Sequence, residues 1–141
     1  MPTSCFRCYA YGYTKDFNNI RMNKVLLIDD DNRNIFALKA VLKSRAVDTV
    51  TTSNALDGIR LLDSDPKIRL VLLDMMMPEL DGYAAIAQIR SGERRDIPIV
   101  AVTAQAMMGD RDKCLAAGAD AYLAKPINVD RLMELIHELL G

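Results

Sequence analysis

The sequence reads as an α/β protein with a five-stranded parallel sheet and helices on both faces. Two observations predict this. Short apolar runs alternate five times with stretches of helical period, and strict alternation implies a parallel sheet covered on both sides. The residues able to do chemistry also fall directly after the apolar runs, where open parallel sheets bind their ligands.

The pattern begins at Asn23. Val25-Leu26-Leu27-Ile28 is a run suited to a strand buried on both faces. A helix is expected over about 32–45, with Asn32 near its start as cap and Ile35, Leu38, Val41 and Leu42 on one face. The β-branched stretch 47–52 predicts a second strand, and a short helix over about 54–62 runs into a breaker at Asp63-Ser64-Asp65-Pro66. Leu70 to Leu73 predicts the third strand, and a helix follows over about 82–90. The fourth strand spans Ile97 to Val102, with Pro98 near its start. The next helix, about 105–117, stops at Gly118, a residue suited to a helix C-terminus. Ala121 to Ala124 predicts the fifth strand. The last helix, about 128–140, puts Val129, Leu132, Met133, Ile136, Leu139 and Leu140 on one face. Each unit is expected to cross over right-handed.

The chain has 141 residues, which suits one domain and buries about two-thirds of the unfolded surface. Half the residues are apolar, 26% are charged and the formal net charge is -1, so bulk charge points to neither nucleic acid nor anionic membrane. No apolar run approaches the roughly 20 residues of a membrane helix, and the N-terminus lacks a secretory apolar stretch. A cytoplasmic protein is expected. The three cysteines, an odd count, argue against a disulfide framework. Cys5 and Cys8 form a C-x-x-C, but a zinc site would have to recruit Cys114 and His137 from separate helices, so reduced thiols are the simpler reading. Residues 1–22 stand apart as an extension or linker ahead of a domain at 23–141. They hold Phe6, Tyr9, Tyr11, Tyr13 and Phe17 without a period, and Met22 is a second candidate start of translation.

The chemistry follows the strands. Asp29, Asp30 and Asp31 come after the first, Asp74 after the third, Thr103 and Ala104 after the fourth, and Lys125 after the fifth. Two unit charges about 4 Å apart at an effective dielectric near 20 repel by about 4 kcal/mol, so carboxylates converging from two strands need counter-charge. Lys125 supplies one, and a hard divalent cation is the natural second. Mg²⁺ prefers one or two carboxylates, waters and a phosphate oxygen. A lysine and a hydroxyl beside such a cation suit phosphoryl chemistry, which depends on positioning and charge neutralisation. Asp74 is the best nucleophile, because carboxylates form aspartyl-phosphates.

These residues resemble the receiver domain of two-component response regulators over roughly 23–140. The parts are LLIDDD, LLDMMMPELDGY, VTA and YLAKP, in that order and on the matching strands. The wording MMMPELDGY and AMMGDRDKCLAAGADAYLAKP looks most like receivers attached to hybrid histidine kinases. The resemblance implies a flavodoxin-like sheet of order 2-1-3-4-5. It implies that Asp74 accepts a phosphoryl group from a phosphohistidine on a histidine kinase or histidine phosphotransfer domain. Asp29 and Asp30 would hold Mg²⁺, Asp30 more directly and Asp29 partly through water, with the Met76 backbone carbonyl completing the protein ligands. Thr103 and the Ala104 N–H would bond the phosphoryl group, Lys125 would pair with one of its oxygens, and the Lys125–Pro126 bond would be cis. Tyr122 would follow Thr103 as the switch aromatic. The face made by the fourth helix, fifth strand and fifth helix would carry the signal, with dimerisation through it as an option.

Three positions depart from the pattern. Ala46 stands where a glycine often ends the first helix. Met76 is apolar where a polar side chain would orient a hydrolytic water, so a slowly hydrolysed phosphoryl group is expected. Asp31 adds a third acid, read as a solvated helix-start charge. Other features read blandly: Met75, Met77 and Met133 as packing, Met107 and Met108 as residues that could face a partner, His137 as a surface residue, and Arg90, Arg94 and Arg95 as a solvated basic cluster.

The expected protein is a signalling module that catalyses only its own phosphorylation and dephosphorylation. A haloacid-dehalogenase-like phosphatase would also pass through an aspartyl-phosphate, but it needs an acid at position 76. A P-loop NTPase needs G-x-x-x-x-G-K-[ST], which does not occur. An interaction-only pseudo-receiver would not need the intact acid set, Thr103 and Lys125. No output domain follows Leu140: if the chain is complete, output by protein contact is expected, without direct nucleic acid or membrane binding; if it is a fragment, it would be the terminal receiver of a hybrid kinase.

Overall fold

Successive strand residues point to opposite faces of the sheet, and both faces are covered. The computed structural model describes residues 24–77, 82–104 and 109–140. In chain order the elements are β1 (Lys24–Ile28), α1 (Asn32–Ser44), β2 (Asp48–Thr52), α2 (Ala55–Ser64), β3 (Ile68–Asp74), α3 (Gly82–Ser91), β4 (Ile99–Thr103), α4 (Asp110–Ala117), β5 (Ala121–Ala124) and α5 (Val129–Leu140). All strands pair parallel, in the order β2-β1-β3-β4-β5.

One face carries Leu26, Ile28, Val71, Leu73, Ile99 and Ala101, packed against buried residues of α2, α3 and α4 such as Leu62, Ile86 and Cys114. The other carries Val25, Leu27, Leu70, Leu72, Val100 and Val102, covered by Leu42 of α1 and by Leu132, Met133, Leu135 and Ile136 of α5. Leu135, absent from the expected stripe of the last helix, is buried with it. The β1–β3 register shifts between Lys24 and Val25, and Arg69 is the exposed residue of β3 beside that irregularity.

The helix ends follow local chemistry. The first helix is capped by Asp31, whose carboxylate accepts from the Arg33 N–H, and not by Asn32, which is its first residue. That hydrogen bond holds the Asp31 pKa below the ordinary carboxylate value. At the other end, the Val47 N–H reaches Leu42 O at 2.9 Å and the Ala46 N–H reaches Lys43 O at 3.0 Å. This closure needs a left-handed residue, and Ala46 occupies it at φ 64°. Val47 is therefore buried in the turn, and β2 begins at Asp48 instead of 47. Gly118 serves the same closure after α4, as expected. α4 begins at Asp110, after Gly109 at φ 97°, outside right-handed helical space; positions 105–108 of the expected helix lie outside the described residues. β4 begins at Ile99, since Pro98 has no N–H to give the ladder, although its carbonyl still accepts from Val71.

The solvated basic cluster is corrected by the structure. Arg90 donates to Gly118 O, Arg95 O, Ile97 O and the Asp120 carboxylate. Arg94 donates to Leu62 O, Asp65 O and Ile68 O. Each guanidinium satisfies carbonyls left over at chain turns, and of the three only Arg95 is exposed. Met75, Met77 and Met133 are buried, and His137 is exposed on α5. Cys114 and His137 lie on helices covering opposite faces of the sheet. Residues 1–22 with Cys5 and Cys8, and also Met107 and Met108, lie outside the described residues.

Candidate functional site

β1 and β3 are neighbours in the centre of the sheet, so the residues that follow them meet at its carboxyl edge. Asp29 follows β1 and Asp74 ends β3, and both are about 95% buried. Asp30 is exposed beside them. A carboxylate oxygen from each of Asp29, Asp30 and Asp74 lies within 4.8 Å of the others. Lys125 follows β5, and its Nζ sits 3.5 Å from Asp29 Oδ2 and 3.5 Å from Asp74 Oδ2. The residues expected to converge from strands one, three and five therefore do so.

The backbone holds them there. Asp74 pairs in register with Val102, and the ladder continues past the strands through Met75 N–H to Val102 O and Lys125 N–H to Thr103 O, both 2.8 Å. Thr103 is buried at the end of β4 opposite Ala124, one strand from Asp74, and Ala104 is exposed directly after it. The Lys125–Pro126 bond is cis. Tyr122 lies on β5 opposite Ala101, partly buried against the core that α2, α3 and α4 share.

Each carboxylate is held differently. Asp74 Oδ1 accepts the Met76 N–H at 3.0 Å. Burial pushes its pKa above the ordinary value, and the Asp29 charge adds to this, while the Met76 N–H and Lys125 pull it back. Asp29 Oδ1 accepts the Asp31 N–H at 2.9 Å, and its Oδ2 accepts from Asn34 Nδ2. Asn34 escaped the sequence reading. Its signal was position: five residues after Asp29, in the first turn of the following helix. Asp31 uses its carboxylate to cap α1 and is not among the clustered acids, as expected of a helix-start charge. Met76 is 48% exposed.

The donor set fits a hard divalent cation: acid oxygens from two strands, mostly buried, with a single lysine Nζ shared between two of them. The remaining charge imbalance suits a cation and an anionic group arriving together. A phosphatase of the D-x-D type would need an acid where Met76 stands.

The model of the response regulator receiver domain family matches residues 25–137. The chain belongs to this family. It is accordingly a phosphoryl-accepting signalling domain of the two-component kind, not a turnover enzyme. It is 32% identical over 118 residues to the polar-differentiation response regulator DivK of Brucella anthropi, covering 83% of this chain and 95% of that protein. Among solved structures, it matches the receiver domain of a Pseudomonas aeruginosa sensor histidine kinase at TM-score 0.77 and 33% identity, covering 84% of this chain and 98% of that one. That structure holds a magnesium ion in its active-site cleft. The Saccharomyces cerevisiae Ssk1 receiver, solved with the histidine phosphotransfer protein Ypd1, matches at TM-score 0.76 and 26% identity, covering 84% and 88% of the two chains. Among the described residues, no helix is long and apolar enough to cross a membrane.

Proposed function

We propose that Asp74 is the phosphoacceptor, taking a phosphoryl group from a phosphohistidine on a histidine kinase or phosphotransfer protein. One observation carries this reading: two buried carboxylates from different strands share the Lys125 ammonium at 3.5 Å each. In transfer, the donor's P–N bond breaks and a P–O bond forms to an Asp74 carboxylate oxygen. The nucleophile must be ionised, and burial opposes that. Lys125 and the Met76 N–H favour the ionised form. Lys125 can then stay with the oxygens of the transferred group, and Thr103 with the Ala104 N–H can hydrogen-bond it.

Asp29, Asp30 and Asp74, with the Met76 backbone carbonyl, would hold Mg²⁺. Its role when bound is to neutralise charge on the transferring oxygens. The magnesium in the Pseudomonas aeruginosa receiver supports this assignment.

The phosphoryl group adds roughly two negative charges and strong acceptors. Drawing Thr103 and Lys125 toward Asp74 would shift the loops after β4 and β5, with Tyr122 following. The α4–β5–α5 face would then carry the signal by protein contact. The domain proper is residues 23–141. Its wording, and its likeness to the receiver of a sensor kinase, support placing it with receivers attached to hybrid kinases. A cytoplasmic setting for the exchange is part of the same proposal.

The test is to incubate the chain with Mg²⁺ and a small-molecule phosphodonor and to weigh the intact protein. One added phosphoryl group is expected, lost without Mg²⁺ and lost in Asp74→Asn. Labelling that persists in Asp74→Asn overturns the assignment.

A further inference from the structure

The first turn of α1 hangs on the Asp29 carboxylate. Oδ1 accepts the Asp31 N–H at 2.9 Å, and Asp31 is itself the helix cap. Oδ2 accepts from Asn34 Nδ2 at 2.5 Å, from the same turn, and faces Lys125 Nζ at 3.5 Å. A carboxylate oxygen offers two lone pairs. Oδ2 therefore has a hydrogen bond on one side and an ion pair on the other.

The contacts to Oδ2 differ in kind. Lys125 is shared with Asp74 and draws Asp29 toward it. Asn34 draws the same oxygen toward α1 and adds no charge. The torsion that turns a carboxylate is soft, so hydrogen bonds decide which oxygen faces the site. We propose that Asn34 is a positioning residue: its amide, together with the Asp31 N–H, fixes the Asp29 carboxylate in the orientation that sets it beside Asp30 and Asp74 for a divalent cation or its water. This rests on the cation site argued above. An amide suits the task better than a second lysine would, because it orients the carboxylate and leaves the site negative enough to bind a cation. Groups that orient metal ligands from behind typically change metal affinity 10–100-fold when removed.

The test is an NMR titration of the whole chain with MgCl₂, following amide shifts. Wild type, Asn34→Ala, Asn34→Leu, Asp29→Asn and the double variant Asp29→Asn/Asn34→Ala are compared. Alanine favours the helix more than asparagine does, and leucine fills the space without a donor, so at least one fold should survive. Both Asn34 variants are expected to bind Mg²⁺ about tenfold more weakly. At saturating Mg²⁺ their labelling rate with a small-molecule phosphodonor should return to that of wild type. In the Asp29→Asn background, Asn34→Ala should cost nothing further, since it acts through Asp29. Affinity within twofold of wild type in both Asn34 variants overturns the proposal. So does an undiminished loss in the Asp29→Asn background, which would mean Asn34 acts elsewhere. Wild type that binds no Mg²⁺ overturns the cation site and this proposal together, which separates the two failures.

Discussion

Lys125→Met should destabilise the cation-free protein, and a second substitution should reverse it. The variant keeps the length of the side chain and removes an ammonium that faces Asp29 and Asp74 at 3.5 Å each. At an effective dielectric near 20, each such pair attracts by about 5 kcal/mol. The acid oxygens lie within 4.8 Å, where like charges repel by at least about 3.5 kcal/mol per pair. With the lysine these contributions nearly cancel, and without it only repulsion remains. Two effects shrink the cost: the lysine side chain keeps 25% of its surface exposed, and Asp74 can take up a proton. Removing one partner of a buried pair costs about 3–5 kcal/mol, so about 2–3 kcal/mol is expected here. In a domain of this size that is a fall of roughly 8–12 °C in Tm. The assay is thermal unfolding by circular dichroism at neutral pH and low salt, with chelator and then with excess MgCl₂. The cation should raise the Tm of the variant more than that of wild type. Asp29→Asn added to Lys125→Met should recover at least half the loss without any cation. A variant Tm within about 2 °C of wild type, or no recovery from Asp29→Asn, refutes the charge argument.

Further outcomes follow from single residues. The pKa of Asp74 is raised in the folded state, so the ionised group costs stability. That cost is absent below the ordinary value of 3.8 and grows as pH rises through the higher folded value. Without divalent cation, Asp74→Asn should therefore be at least as stable as wild type at neutral pH, with the difference vanishing in acid; urea unfolding across pH measures it. Ala46→Gly should stabilise by about 0.5–1 kcal/mol, because a left-handed L-residue costs about 1–2 kcal/mol and part of that gain is lost to unfolded-state entropy. The strained residue is Ala46 at φ 64°, and a denaturation midpoint that falls instead would contradict it. The phosphorylated chain should lose its phosphoryl group slowly, since the exposed Met76 side chain cannot orient water. Met76→Asn should speed that loss several-fold when followed by intact mass over time, and an unchanged rate would refute the role given to this position.

Most of the fold was legible because parallel strands are buried on both faces. Val25 to Ile28 and Leu70 to Leu73 had no polar face to show, and both runs are almost completely buried. The element ends were less legible. Asp31 and Asn32 are both good caps, and only the hydrogen bond to Arg33 separates them. The helix expected from 105 missed the left-handed Gly109, whose conformation no apolar period records. Arg90 and Arg94 read as surface charge because a sequence does not show its unpaired carbonyls. Their partners lie up to 32 residues away, brought close by the turn after α4 and by the ends of α2 and β3.

The sequence by itself determined the alternation of strand and helix and which residues follow each strand. It therefore also determined that Asp29, Asp74 and Lys125 would stand at one edge of a parallel sheet. Side-chain type and spacing carry that information, because burial on two faces and helical period are both local. Tertiary structure decided the rest: that Lys125 is shared equally between two carboxylates, and that Met76 gives its N–H to Asp74. It also decided that Asn34 reaches back to Asp29, and that two arginines close the far turns. Those are contacts between elements, set by distance and orientation, and a hydrogen bond exists only once the backbone has brought donor and acceptor together.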